Sequence, residues 1–221
     1  IDITLDFLAG IGAKPEDVSL FIFTSGSDLH LKYKIGKTLL GLEGRQPEEW
    51  LDLPVSFYRE ANIRMATKAI AHAKSRGVQV VEFGGEDGSR ADVDYLIELA
   101  GACYKAGGAR YAYPDTVGYF APEGVDFYIP KIVAAFPDKP LVIHFHNDFG
   151  LAAYNTVRAL HHGATIPTVT VNGIGERAGN APLHTTVMIL KELYGVTIPG
   201  FRYDMLWELK RKVEEMSGLP V

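Results

Sequence analysis

Short runs of β-branched and aromatic residues alternate along this chain with longer segments whose apolar residues recur at helical spacing, and that alternation leaves few folds open. The short runs fall at residues 19–24 (SLFIFT), 78–83, 110–113, 141–145 and 168–172. The helical segments fall at 55–76, 91–106, 124–135, 151–162 and in a stretch that ends at Tyr194. Within 55–76, for example, Ile63, Ala66, Ile70 and Ala73 lie on one helical face, and Gly77 follows as a C-terminal stop. A strand, a covering helix and another strand form a parallel unit, so five such repeats predict an α/β fold with a parallel sheet. A further helix at 203–217 has no strand before it, the opening IDITLDFLAGIG reads as a helix, and the stretch LLGLEGRQPEEWLDLP reads as a surface excursion.

The polar residues of unusual type follow directly on these strands. They are Ser25, Ser27, Asp28 and His30; Glu86 and Asp87; Asp115 and Thr116; His144, His146, Asn147 and Asp148; and Asn172, Glu176, Arg177 and Asn180. Parallel α/β architectures build their sites at that edge, where the loops converge. An open doubly wound sheet is one solution, but neither a GxGxxG after a first strand nor a phosphate-binding GKS or GKT is present. A (β/α)8 barrel is the other. It needs three more repeats, or about 90 residues ahead of Ile1 at ~30 residues per repeat. The chain opens on Ile1 inside a helix, which adds to the expectation of an internal piece of a longer protein.

Composition narrows the class. With 221 residues, 47% hydrophobic and 22% charged, the chain can build an ordinary globular core. A net charge of -5 and a pI near 5.8 argue against nucleic acid as a partner. No apolar run approaches the ~20 residues that cross a bilayer, which argues against the membrane. The single cysteine, Cys103, forms no internal disulfide, lies in the apolar pattern of a helix and reads as a buried thiol, so a reducing, cytoplasmic setting is expected.

His144 and His146 end the apolar run at 141–145 two residues apart, so both rings point to one side of the strand. Such a pair is either satisfied by backbone carbonyls or holds one divalent ion. Asn147 and Asp148, next in sequence, favour the ion: oxygen donors suit Mg or Mn, and imidazole nitrogens shift the preference toward Mn, Co or Zn. In NGIGERAGNAP (172–182), Glu176 and Arg177 read either as a solvated ion pair in a glycine-rich turn or as part of the site. Asn180 is a candidate oxygen ligand, and Glu176 a candidate to orient a ligand histidine. In GGED (84–87), Asp87 reads as a helix cap and Glu86 as the inward-facing acid; PDT (114–116) reads as a turn with a cap; His161 and His162 read as surface residues.

The ordered motifs SDLHLKYK, FGGEDGSRAD, YPDTVGY, HFHNDFGLAAYNT and NGIGERAGNAPL together resemble the metal-dependent Claisen-condensing enzymes that include the 2-isopropylmalate, homocitrate and citramalate synthases. The resemblance runs through nearly the whole chain. It implies an α/β fold that is a partial (β/α)8 TIM barrel, strands four to eight with their helices over residues 1–196, followed by a helical linker start over 197–221. It implies a divalent metal (Mn, Mg, Zn or Co) held by His144, His146 and Asn180 together with an aspartate from a first strand, with Glu176, Asn147 and Asp148 supporting the ligands. The substrates implied are acetyl-CoA and a 2-oxo acid whose carbonyl the ion polarises. Glu86 and Thr116 match catalytic positions lining the oxo-acid pocket, with Glu82, Gly84 and Pro114 as further binding positions. A cytoplasmic enzyme that is a homodimer at full length is expected.

Departures from the family pattern shape the expectation further. The first-strand signature that supplies the metal aspartate and an arginine is absent, and the chain stops at SGLPV where the family continues into a domain carrying a further His and Tyr. The isolated chain is therefore expected to be inactive. Where lysine-pathway homocitrate synthases carry an arginine for the distal carboxylate of 2-oxoglutarate, this chain has Glu82, which favours an apolar oxo acid and an isopropylmalate-type product. PDTVGY is also similar to the isopropylmalate version. GGEDGSRAD is similar instead to nitrogen-fixation homocitrate synthases, and Ser19 stands where isopropylmalate synthases often have a histidine. Homocitrate synthesis is the alternative, followed by an aldolase-type lyase of the same superfamily, against which GERAGN argues, and an inactive metal-binding fragment.

Overall fold

A computed structural model describes residues 1–220 of the chain, which fold as two compact units: 1–114 with 131–141, and 115–130 with the residues from 142 onward. The first unit contains α1 (Asp2–Gly10), β1 (Ser19–Ser25), α2 (Asp28–Tyr33), α3 (Gly36–Leu42), α4 (Val55–Ser75), β2 (Val80–Glu86), α5 (Val93–Lys105) and most of β3 (Arg110–Asp115). β1 pairs with β2 and β2 with β3, both in parallel. The register sets Ser25 against Glu86 and Glu82 against Arg110.

Strand alternation decides which side chains enter the core of this unit. Val81 and Phe83 are buried toward the helices, where the Phe83 ring meets Tyr104 of α5 at 5.0 Å. Glu82, Gly84 and Glu86 therefore share the other face of β2. Ile70 of α4 and Leu96 and Leu99 of α5 are almost wholly inaccessible, and each contributes about 1.5–3 kcal/mol by leaving water. The α5 helix starts where Asp92 accepts hydrogen bonds from the Asp94 and Tyr95 amides.

The helix α6 (Pro122–Ala135) passes from the second unit into the first at Pro130. The second unit then holds β4 (Leu141–Phe145) except its first residue, α7 (Ala152–His161), β5 (Ile166–Thr168), α8 (Leu183–Met188), which runs into a π turn at Ile189–Leu193, and α9 (Leu206–Ser217). β4 and β5 are parallel, with His144 opposite Thr168. The α/β expectation with five parallel strands therefore holds.

Several boundaries differ from the sequence reading. The polar residues that follow β1 open helix α2, because the Ser27 hydroxyl accepts from the His30 amide and caps it. The expected surface excursion contains α3 and a short 3-10 turn, Pro47–Leu51. The strand expected at 168–172 is only Ile166–Thr168. Beyond it the Thr170 amide donates to Ala181 O at 3.0 Å, and Asn172 turns into the left-handed region at φ 63°. Asn172 Nδ2 donates to Lys210 O at 2.9 Å, tying α9 to the turn after β5. Val221, at the end of the expected linker start, lies outside the described residues.

Candidate functional site

In β4, Ile143 and Phe145 are fully buried, while His144 takes the opposite face and His146 follows it in phase one residue past the strand. Their Nε2 atoms are 3.2 Å apart, with the rings tilted at 78°. Asn180 reaches the same point, its Nδ2 standing 3.2 Å from His144 Nε2. Backbone hydrogen bonds bring its loop there. Asn147 N donates to Gly179 O at 2.9 Å and Ala181 N to Phe145 O at 3.2 Å, and His146 and Asn180 form a single antiparallel bridge. Two glycines make the approach possible. A Cβ on Gly175 would sit 1.7 Å from Asn180 Oδ1, and one on Gly179, at φ +93°, 2.0 Å from Gly173 O.

Hydrogen-bond accounting fixes the tautomer of His144. The Thr168 hydroxyl has one hydrogen and donates it to Ile143 O at 2.6 Å, so at 3.0 Å from His144 Nδ1 it accepts. Nδ1 then carries the proton and Nε2 the lone pair. Burial, and after it the neighbouring His146, hold His144 below the ordinary imidazole value, with Glu176 acting weakly the other way. The ring is neutral at pH 7, the form that binds a metal. His146 is only 7% exposed, and its Nδ1 is buried without a hydrogen-bond partner. A ligand histidine ordinarily donates its second nitrogen to a neighbour, a condition that His144 meets through Thr168.

Two imidazole nitrogens facing one point suit a divalent transition metal, while Asn180 meets them with its Nδ2 donor and its oxygen faces Gly175. They fit it as a partial set: among the described residues no group of three or more His, Cys, Asp or Glu side chains gathers where it could hold an ion.

The other expected residues of this unit have definite places. Asn147 Oδ1 accepts from Ala152 N at 3.1 Å and so caps α7. Asp148 is gripped by Arg177, Nε to Oδ1 at 2.8 Å and Nη2 to Oδ2 at 3.0 Å, and this hydrogen-bonded guanidinium holds the carboxyl below the usual range. Glu176 is 76% exposed at its side chain, 3.5 Å from Arg177, and makes none of the bonds that orient His144. Thr116 lies in the turn whose Tyr119 and Phe120 amides bond to the Asp115 carboxylate at 2.8 and 3.1 Å.

In the first unit, Glu82, Gly84 and Glu86 line one face of β2. Glu82 Oε2 accepts from Arg110 Nε at 2.5 Å, directly across the ladder. A Cβ on Gly84 would lie 2.8 Å from Ala112 O, so the position admits no larger residue without a shift. Glu86 ends the strand and takes Lys34 Nζ on both oxygens, at 2.7 and 2.6 Å. Pro114 is the penultimate residue of β3. Asp87 is not the cap of the next helix, a role that Asp92 fills. Buried and left-handed at φ 67°, it accepts from Ser27 Oγ at 2.5 Å and Arg90 Nε at 2.7 Å, joining the loops after β1 and β2.

Sequence reasoning passed over Thr168, Lys34 and Arg110 as functional neighbours. The signal for Arg110 and Thr168 is strand register, since each stands opposite a singled-out residue. Lys34, within SDLHLKYK, meets Glu86 only through the fold and carries no signal in its local sequence.

A probable 2-isopropylmalate synthase of Methanopyrus kandleri is 40% identical over 98% of this chain and 38% of its own length. The homocitrate synthase AksA of the same organism is 36% identical over 98% of this chain and 48% of its own. The chain thus spans less than half the length of these relatives. The solved structure of Bacillus subtilis HMG-CoA lyase superposes with a TM-score of 0.68, covering 92% of this chain and 64% of that one, at 20% identity, and supports the fold alone. The HMGL-like family profile matches residues 53–213. A match over that much of the sequence establishes that the chain belongs to the HMGL-like family.

Proposed function

We propose that this chain is part of an acyl-CoA-dependent synthase that condenses acetyl-CoA with a 2-oxo acid, of the 2-isopropylmalate type. The observation that carries the reading is the convergence of His144, His146 and Asn180, with the His144 lone pair on the converging nitrogen. On this reading the five parallel strands are the fourth to the eighth of a (β/α)8 barrel, residues 1–196 belong to its catalytic part, and 197 onward begins a helical linker. The full-length enzyme is a cytoplasmic homodimer, and this chain without the rest is inactive.

His144 and His146 would hold a divalent ion (Mn, Mg, Zn or Co) through Nε2, and Asn180 would join them through Oδ1 once its amide turns that oxygen toward them. The ion supplies Lewis acidity toward the carbonyl of a 2-oxo acid. The protein's residues do the remaining work. Thr168 keeps His144 in the ligating tautomer, Asn147 fixes the start of α7, and Asp148 and Glu176 support the ligand loops from outside. Thr116 and Glu86 contact the oxo acid, beside Gly84, with Pro114 as a wall. Lys34 neutralises Glu86, so that an anionic substrate does not meet a bare carboxylate.

The charge of Glu82 is matched by Arg110, and neither is free to recognise a second carboxylate. An apolar oxo acid such as 2-oxoisovalerate suits that surface, since a dicarboxylate would have to break the pair. One observation favours the homocitrate alternative: Arg110 is a cation beside the position in question, and AksA is among the relatives. Free-thiol release from acetyl-CoA by the full-length enzyme, across a panel of 2-oxo acids, separates the two. The proposal expects the highest kcat/KM with a branched apolar oxo acid. A preference for 2-oxoglutarate supports the alternative, and no release with any oxo acid, ion bound, defeats the synthase reading.

A further inference from the structure

The Glu176–Arg177 pair looks like a solvated surface ion pair, yet the guanidinium is spent elsewhere. Arg177 donates to both Asp148 oxygens at 2.8 and 3.0 Å and to Thr116 O at 2.6 Å, leaving Glu176 at 3.5 Å. One side chain therefore ties the loops that follow β3, β4 and β5. Each anchor adjoins the ligand cluster. Asp148 is two residues beyond His146, Arg177 three before Asn180, and Thr116 follows Asp115, whose carbonyl accepts from His146 N at 3.2 Å.

Two local features show that the tie is held against resistance. Arg177 has φ 56°, a left-handed backbone that a residue bearing a Cβ adopts only where its surroundings impose it. Gly118, at φ +59°, has its Cβ space filled by Asp148 N at 2.8 Å, Asp148 Oδ2 at 2.9 Å and His146 O at 3.0 Å, so the loops after β3 and β4 meet there without room for a side chain. An exposed ion pair adds little to stability, and the Arg177 side chain is 42% exposed. Stability is therefore a poor account of a bidentate grip built on an unfavourable backbone.

We propose that Arg177 is a positioning residue for the His144–His146–Asn180 cluster, its three-loop tie setting the distance at which Asn180 meets His144; the inference rests on the metal-centre reading. The test compares the full-length protein with its Arg177→Ala and Arg177→Lys variants by backbone amide exchange and by Co²⁺ titration followed in the visible spectrum. His144→Ala serves as the ligand control, and melting in EDTA as the check on folding. Exchange at Asn147 and Asn180 should rise about tenfold in Arg177→Ala, with that in α7 unchanged. Co²⁺ affinity should fall about 10–100-fold, the range for groups that orient ligands. The EDTA melting temperature should stay as it was, and lysine should restore part of both readouts. Unchanged exchange and unchanged Co²⁺ affinity overturn the proposal while leaving the metal centre standing, and a matching fall in EDTA stability also overturns it, as a merely structural role. If the unmodified full-length protein binds Co²⁺ no better than His144→Ala, the metal-centre reading fails, and amide exchange alone then decides whether Arg177 sets the loops.

Discussion

His144 Nδ1 and Thr168 Oγ1 lie 3.0 Å apart, facing each other in the register of two parallel strands, and this contact makes Nε2 the lone-pair nitrogen. Thr168→Val removes the acceptor and leaves His144 free to change tautomer. The variant should lose about 1 kcal/mol of stability and bind a divalent ion about tenfold more weakly. Thr168→Ser should keep both, as urea melts and metal titrations of the two variants will show.

The Glu82–Arg110 pair predicts an asymmetry between single and double substitutions. The Glu82 side chain is 15% exposed, so Arg110→Ala leaves a poorly solvated carboxylate and should cost about 1–3 kcal/mol. Glu82→Ala together with Arg110→Ala should recover most of that loss, because the uncompensated charge is gone. Urea midpoints for the four members of the cycle give the coupling; strict additivity would contradict a close pair.

Burial pushes the Cys103 thiol up to about 12. Almost no thiolate exists at pH 8, and the sulfur is screened by the core of the first unit. Cys103 should therefore resist a thiol-specific reagent in the folded chain and react fully in denaturant. Fast labelling of the native chain at pH 8 would show that α5 opens locally or is packed otherwise.

Asp126 sets an acid limb. Its hydrogen bonds, from Arg158 first and His162 second, hold the carboxyl at about 2. A carboxyl whose folded value lies below its unfolded one, about 3.9, stabilises the fold above the unfolded value. That contribution fades as pH falls from about 4 and is gone below about 2. The melting temperature of Asp126→Asn should therefore lie below that of the parent chain at pH 5 and approach it toward pH 2. Parallel curves across that range would contradict the pairing.

The βα alternation and the clustering of polar residues behind each strand were legible because both follow from local periodicity. His144 and His146 share a face because the strand period is two, and Asn180 could be paired with them from the family resemblance. What escaped was set by partners distant in sequence. Sequence adjacency pairs Arg177 with Glu176, a contact at 3.5 Å, yet its shorter bonds go to Asp148 and Thr116, 29 and 61 residues away. A carboxylate before a helix usually caps it, which is what the local sequence suggests for Asp87. Its left-handed backbone turns it instead toward Ser27, 60 residues back. The end of β5 was misplaced because Thr168–Val171 is β-branched throughout, while Thr170 pairs with the returning segment at Ala181.

The most direct test of the metal centre is paramagnetic broadening of the seven histidine ring signals by Mn²⁺ added below one equivalent. The ring protons of His144 and His146 should broaden first and together, while those of His30, His72, His161, His162 and His184 stay sharp. Selective broadening of any other histidine, or none at a full equivalent, would contradict the centre on which the proposed chemistry depends.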